Sequence, residues 1–223
     1  MKRKHNKQHK EVIGINLMQI DNQVSGILSD WGEIALDSFL RDGPIKDIPI
    51  FGTLLKVIQG SKALRDFFFI RKVCEFVRNA PAIEPNRRQQ FREKLETDRS
   101  FAERTATHLA VVLDRLDELE KSALLAKIFG AYIEGILDQQ MMKRLASALD
   151  RTLLDDIIAL KKFMKEEYPL NSETFYGLEG VGLASAYHSI TRPLEPHDVH
   201  GQIGEMHFII SPTAVRLIEI VFR

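Results

Sequence analysis

The 223 residues of this chain are 44% hydrophobic and 28% charged, which is typical of a soluble globular protein and excludes a largely disordered chain. Lysine and arginine together number 31, as do aspartate and glutamate, so the formal net charge is zero and gives no general reason to expect nucleic-acid binding. The single cysteine, Cys74, excludes an intramolecular disulfide and favours a reducing cytoplasm.

The first ten residues, MKRKHNKQHK, are basic and polar, and we expect residues 1–10 to form a disordered tail. The stretch that follows carries charge within a few residues and lacks the cleavage pattern of a signal peptide. No uninterrupted apolar run approaches the roughly 20 residues that span a bilayer. The sequence therefore predicts a cytoplasmic protein, peripheral to the inner membrane if it contacts a membrane at all.

Apolar residues at helical spacing predict a mainly α protein, with an antiparallel helical domain over residues 11–150. Pro81 and Pro85 are expected to stop one of these helices. Either Asp98 or Ser100 is expected to cap a later helix, and Asp138 another. The predicted helices run over about residues 21–40, 53–77, 86–97, 100–116, 118–137 and 139–150.

The pattern changes in the last third of the chain, where residues 151–223 predict a small α+β module. A helix around residues 153–163 precedes the segment NSETFYGLEGVGL, which predicts a short helix that ends at glycines. The segments AYHSIT and MHFII predict two strands on either side of a loop rich in proline, glycine and histidine. Ser211 and Pro212 then start a final helix, because serine caps a helix and proline suits its first position.

This order of elements, with GVGLAS closing a helix and SPTAVRLIEIV following the second strand, resembles a winged-helix module. The resemblance implies DNA binding through the second helix, and a DNA-binding transcriptional regulator is the first alternative function. Residues 151–223 carry ten acidic and seven basic residues, however, and residues 171–184 contain two glutamates and no lysine or arginine. Because phosphate contacts need cations, the sequence favours protein interaction over nucleic-acid binding.

Residues 45–80 hold the densest apolar run, and seven Lys/Arg against three acids give this segment a net charge of +4. Three consecutive phenylalanines lie within it. A cationic amphipathic helix of this kind can lie on a membrane interface or bind a partner, and it can also be a core helix with solvated charges. We define the basic–aromatic face as the residues most suited to binding: Lys56, Lys62, Arg65, Phe68, Arg71 and Lys72.

The segments DGPIKDIPIFGT and ALRDFFFIRK also resemble a loose group of small bacterial proteins associated with phage-defence and abortive-infection settings. The resemblance covers residues 42–76 and includes no known catalytic residue. It implies a biological context, that of an effector or regulator, and no reaction mechanism.

The chain contains neither a glycine-rich phosphate loop nor a Gly-x-Ser-x-Gly sequence, and we expect no bound cofactor. His197 and His200, with Asp198 between them, are the candidate metal ligands, and a metal-dependent enzyme that uses them is the second alternative. The sequence favours a non-enzymatic bacterial interaction protein with a protein partner or a homo-oligomeric state.

Overall fold

The computed structural model describes residues 64–190 and 203–223. The predicted tail (1–10), the predicted helix over 21–40 and the beginning of the helix predicted over 53–77 lie outside the described residues. The described chain is mainly helical, with eight helices and one two-stranded antiparallel sheet near its C-terminus. The predicted fold class, mainly α with a small strand-containing module, is confirmed.

The chain divides into two compact units, Met1–Arg115 and Leu116–Arg223. The domain boundary predicted after residue 150 falls within a helix of the second unit. That residues 151–223 form a separate domain stays a prediction. In the first unit the described helices are α1 (Leu64–Arg78), α2 (Pro85–Thr97) and α3 (Arg99–Arg115).

Side-chain caps determine where α2 and α3 begin. The Glu84 carboxylate accepts hydrogen bonds from the first free backbone amides of α2, and Pro85 occupies the first helical position, where a missing N–H costs nothing. Of the two caps predicted for α3, Asp98 and Ser100, the cap is Asp98, because its Oδ1 accepts from the Phe101 amide at 2.8 Å. Phe101 and Phe91 are buried edge-to-face with ring centroids 6.0 Å apart, which fixes α2 on α3.

The second unit contains the remaining elements. They are α4 (Leu119–Ile133), α5 (Gln139–Arg151), α6 (Leu154–Met164), α7 (Ser172–Gly180), β1 (Ala184–Ile190), β2 (Ile203–Ile210) and α8 (Pro212–Val221). The predicted cap residues Asp138 and Ser211 accept hydrogen bonds from the amides of Met141 and Ala214. The apolar face of α8 is buried against α4, α5 and α6.

The predicted end of α4 at Leu137 is wrong, because the helix ends at Ile133. Gly135 adopts a φ of 74°, its amide donates to the Tyr132 carbonyl, and the Ile136 amide donates to the Ala131 carbonyl. This is the hydrogen-bond pattern of a Schellman motif, which glycine favours because it has no Cβ to clash in the left-handed region.

The same motif ends α7. Gly182 has a φ of 77°, its amide donates to the Glu179 carbonyl, and the Leu183 amide donates to the Leu178 carbonyl at 2.8 Å. Leu178 and Leu183 are both fully buried, as the motif requires of the residues that close it. The glycine end predicted for this helix is therefore confirmed, and it directs the chain into β1.

We expect Gly182→Ala to lower the free energy of unfolding by about 1 kcal/mol, because the alanine must adopt the left-handed conformation. Gly180→Ala is the matched control: Gly180 lies in α7 with a φ outside the left-handed region, and an added Cβ would meet nothing within 4 Å. That control should be neutral or stabilise the protein by up to about 1 kcal/mol. Urea denaturation of the two variants checks the prediction, and equal effects would contradict it.

The sheet places β1 and β2 in antiparallel register from Ala184 opposite Ile210 to Ile190 opposite Ile203, with an irregularity between His188 and Ile190. Helix α7 packs on β1. The Glu179 side chain accepts a hydrogen bond from the Ala186 amide at 2.9 Å, which connects the helix to the strand backbone. Helix α7 therefore packs beside the two-stranded antiparallel sheet that follows it in the chain.

Candidate interaction surface

Helix α1 separates its side chains into a buried face and an exposed face. Val73 and Phe76 are buried, with Phe76 completely removed from solvent, and α1 packs on α3. Phe68 is 50% exposed, and Arg71, one helical turn further on, is also exposed. The described part of α1 therefore carries an aromatic ring and a guanidinium on its outward side, while a different phenylalanine fills the core.

Lys72 contacts the neighbouring helix. Its Nζ donates to the backbone carbonyl of Asp114 at 2.9 Å, and the side chain is half-buried. Asp114 belongs to the last turn of α3, where carbonyl groups lack partners within the helix and the helix dipole favours a positive charge. Lys72 thus holds α1 against α3 in addition to contributing a charge to the basic–aromatic face.

The positive charge of Arg78, at the end of α1, has an acidic partner in the same helix. Arg78 forms an ion pair with Glu75 at 3.3 Å, and the Asn79 side chain donates to both the carboxylate and the backbone carbonyl of Glu75. On the described part of α1, Arg71 and Arg78 are the two arginines with exposed side chains. Of the other residues predicted for the face, Arg65 lies in the first turn of α1, while Lys56 and Lys62 lie outside the described residues.

Cys74 lies on α1 between the two faces and is half-buried. Burial raises the pKa of its thiol, an effect that the Arg78 charge partly opposes and the Glu75 charge reinforces. Since the thiolate is the reactive form, the raised pKa keeps the thiol protonated and unreactive at neutral pH. This environment is that of a packing residue.

Helix α7 occupies the place of the DNA-reading helix in the winged-helix resemblance. It contains Glu173 and Glu179 and no lysine or arginine, and its exposed positions include Ser172 and Tyr176. A helix that enters a DNA groove requires cations to neutralise phosphates. The charge of α7 therefore disfavours the DNA-binding alternative.

Metal-binding residues do not gather anywhere in residues 64–190 or 203–223, because no group of three His, Cys, Asp or Glu side chains there could hold an ion. His197 and His200, the candidate ligands, fall outside the described part of the chain. Within the same described ranges, every helix is too short or too polar to cross a bilayer.

Sequence reasoning missed two features of the second unit. Lys121 is buried beside Asp117, although lysine is a residue type that is almost never fully buried unless paired. The spacing of four residues between an acid and a base was the available signal. Tyr176 is half-exposed, and the Asp156 carboxylate of α6 lies against Gly177, the next residue of α7, a proximity that no sequence pattern indicates.

The chain was compared with models of protein families, with curated proteins and with solved structures, and none of the three comparisons gave a match.

Proposed function

We propose that this chain is a bacterial interaction protein, of the effector or regulator type, that docks through the basic–aromatic face on a protein partner or an anionic membrane. The observation that supports this proposal is the exposure of Phe68 and Arg71 on α1 while Phe76 supplies the buried contact. The resemblance of residues 42–76 to proteins of phage-defence settings supports the same role.

The face has the chemistry that an anionic membrane requires. Burying an exposed phenylalanine side chain contributes about 2 kcal/mol, and each lysine or arginine near an anionic lipid surface contributes about 1 kcal/mol. Phe68 supplies the apolar contact, and Arg71 lies one turn away on the same helix. Neither contribution alone gives stable binding, so docking is expected to need both and to weaken as salt screens the charges.

We expect the full-length protein to sediment with phosphatidylglycerol vesicles and to remain in the supernatant with phosphatidylcholine vesicles. The double variant Arg65→Glu/Arg71→Glu should reduce the bound fraction at least about tenfold, since each reversal loses an attraction of about 1 kcal/mol and adds a repulsion. Arg87→Glu/Arg99→Glu, at exposed positions of α2 and α3, is the control with the same change in charge and should bind as the wild type does.

A wild-type protein that stays in the supernatant with anionic vesicles would contradict the membrane form of the proposal. The protein-partner form includes a homo-oligomer, which light scattering of the protein without vesicles checks, with Phe68→Asp as the variant. A monomeric mass at every concentration in the wild type would contradict self-association.

The two alternative functions receive no support from the described residues. DNA binding through α7 would need cations that this helix does not carry. Metal-dependent catalysis would rest on His197 and His200, for which the structure offers no geometry. Neither alternative is proposed.

A further inference from the structure

Helix α7 leaves one stripe of its surface to solvent, at positions that are three or four residues apart: Glu173, Tyr176, Gly177 and Gly180. Tyr176 is 54% exposed, yet its ring lies edge-on to the buried Phe175 with centroids 6.0 Å apart. Phe175 in turn packs against Phe208 of β2 at 4.0 Å. The Tyr176 ring is therefore supported by the core while half of it remains accessible.

Two carboxylates belong to the same stripe. Glu173 precedes Tyr176 by three residues, the spacing at which side chains are neighbours on a helix. A Cβ placed on Gly177 would lie 2.8 Å from Oδ2 of Asp156, so the carboxylate of Asp156 reaches from α6 to the surface of α7 at the residue that follows Tyr176. In the described part of the chain, neither the Glu173 nor the Asp156 carboxylate forms an ion pair.

The stripe is open beyond the ring. A Cβ at Gly180 would meet nothing within 4 Å, so no side chain covers the helix there. Residues 166–191 contain four glutamates and no lysine or arginine. Two cations of α6, Lys161 and Lys162, lie over the rings of Phe222 and Tyr168. The stripe thus combines a half-exposed aromatic ring, two carboxylates and open space at Gly180, in a segment without lysine or arginine.

We propose that this α7 surface, formed by Glu173, Tyr176, Gly177, Gly180 and Asp156, binds an arginine-bearing segment of a partner protein. The guanidinium stacks on the Tyr176 ring, and its N–H groups donate to the carboxylates of Glu173 and Asp156. Arginine is preferred over lysine because its planar group stacks and donates to carboxylates in a fixed fork, whereas the ammonium of lysine is compact and strongly hydrated.

Charge complementarity decides the class of partner. Nucleic acid and anionic lipid would be repelled by the two carboxylates, while a cationic peptide is attracted by them. The binding is independent of the basic–aromatic face of α1, so failure of either proposal leaves the other standing.

Fluorescence anisotropy of the full-length protein with labelled peptides tests the proposal. The probe is a decapeptide of alternating arginine and glycine, with versions in which lysine or uncharged citrulline replaces arginine. At near-physiological salt we expect binding in the order arginine, lysine, citrulline. Tyr176→Ala and Glu173→Gln should each weaken binding of the arginine peptide at least about fivefold.

Two further variants separate a specific site from general attraction to an acidic surface. Tyr168→Ala, at a tyrosine that is 66% exposed in the same acidic stretch, should bind within about twofold of the wild type because it removes no member of the site. Gly180→Arg should abolish peptide binding by occupying the open space, and it should leave the thermal melt unchanged or raise it, because arginine favours a helix more than glycine does.

The proposal is overturned if the wild type gives no anisotropy change with the arginine peptide. It is also overturned if Tyr176→Ala, with an unchanged far-ultraviolet circular dichroism spectrum, binds as tightly as the wild type, since the attraction would then be general. Retained binding in a folded Gly180→Arg variant would exclude the α7 surface as the location.

Discussion

Replacing Asp117 by alanine is expected to lower the free energy of unfolding by about 2–3 kcal/mol, whereas replacing its partner Lys121 by methionine should change it by less than about 1 kcal/mol. Lys121 is 1% exposed, and its Nζ donates to Oδ1 of Asp117 at 2.6 Å. Without this carboxylate the buried ammonium group keeps its desolvation penalty and loses its counter-ion. Methionine removes the charge itself and fills a similar volume.

The expected loss is at the lower end of the range for buried pairs because the Asp117 side chain is 55% exposed. The coupling free energy between Asp117 and Lys121 is measured by urea denaturation at neutral pH. The measurement compares the wild type, the two single variants and the double variant. Glu120→Ala, at an exposed neighbour on α4, is the control and should be nearly neutral. A Lys121→Met variant as unstable as Asp117→Ala would contradict the prediction.

The same pair predicts how stability depends on pH. Partial burial by itself would raise the pKa of the Asp117 carboxyl, but the hydrogen bond from Lys121, backbone hydrogen bonds and the Lys121 charge together lower it. The pKa of this carboxyl is therefore lower in the folded than in the unfolded protein. Its contribution to stability is complete at a pH above the unfolded-state pKa, and it is lost as the pH falls through the folded-state pKa. The difference in free energy of unfolding between the wild type and Asp117→Ala should therefore be largest at neutral pH and decrease as the pH falls into the acid range.

Two of the phenylalanines of α1, Phe68 and Phe76, are expected to differ by severalfold in their effect on the free energy of unfolding. Phe76→Ala should lower the free energy of unfolding by about 3–4 kcal/mol, because Phe76 is completely buried and its loss leaves a cavity. Phe68→Ala should cost less than about 1 kcal/mol, since half of its surface is already in water.

Because the chain divides into two compact units, the measurement needs a probe that lies in α1. Alkylation of Cys74 in increasing urea supplies one, since this thiol is half-buried two residues before Phe76 and becomes reactive when the helix detaches. If Phe68→Ala were as damaging as Phe76→Ala, Phe68 would be a core residue. The proposed docking face would then lose its aromatic contact.

Several local features follow from short sequence signals. Asp138 and Ser211 cap their helices because a short polar side chain can accept from an amide two or three residues later. Gly182 ends α7 because it alone can take the left-handed conformation without strain. Gly135 carries the same signal, and for this reason α4 ends before the predicted Leu137.

The contacts on which the two proposals rest depend on residues that are distant in sequence. The Lys72 side chain reaches a carbonyl of α3, so its position follows from how α1 packs. The Asp156 carboxylate comes to lie beside Gly177 because α6 and α7 pack together, and sequence alone does not specify where two helices cross. The exposure of Phe68, in a run of three phenylalanines, depends on which side of α1 faces α3.

The sequence by itself determined most of the helices in the described residues, the caps at Asp138 and Ser211, the two strands and the separation of charge along a neutral chain, because each depends on neighbours within about one helical turn or one strand. The tertiary structure alone decided which lysine is buried, which phenylalanine faces water and which carboxylate lies against Gly177. Burial depends on the packing of whole elements, and residues of the same type a few positions apart can lie on opposite sides of one helix.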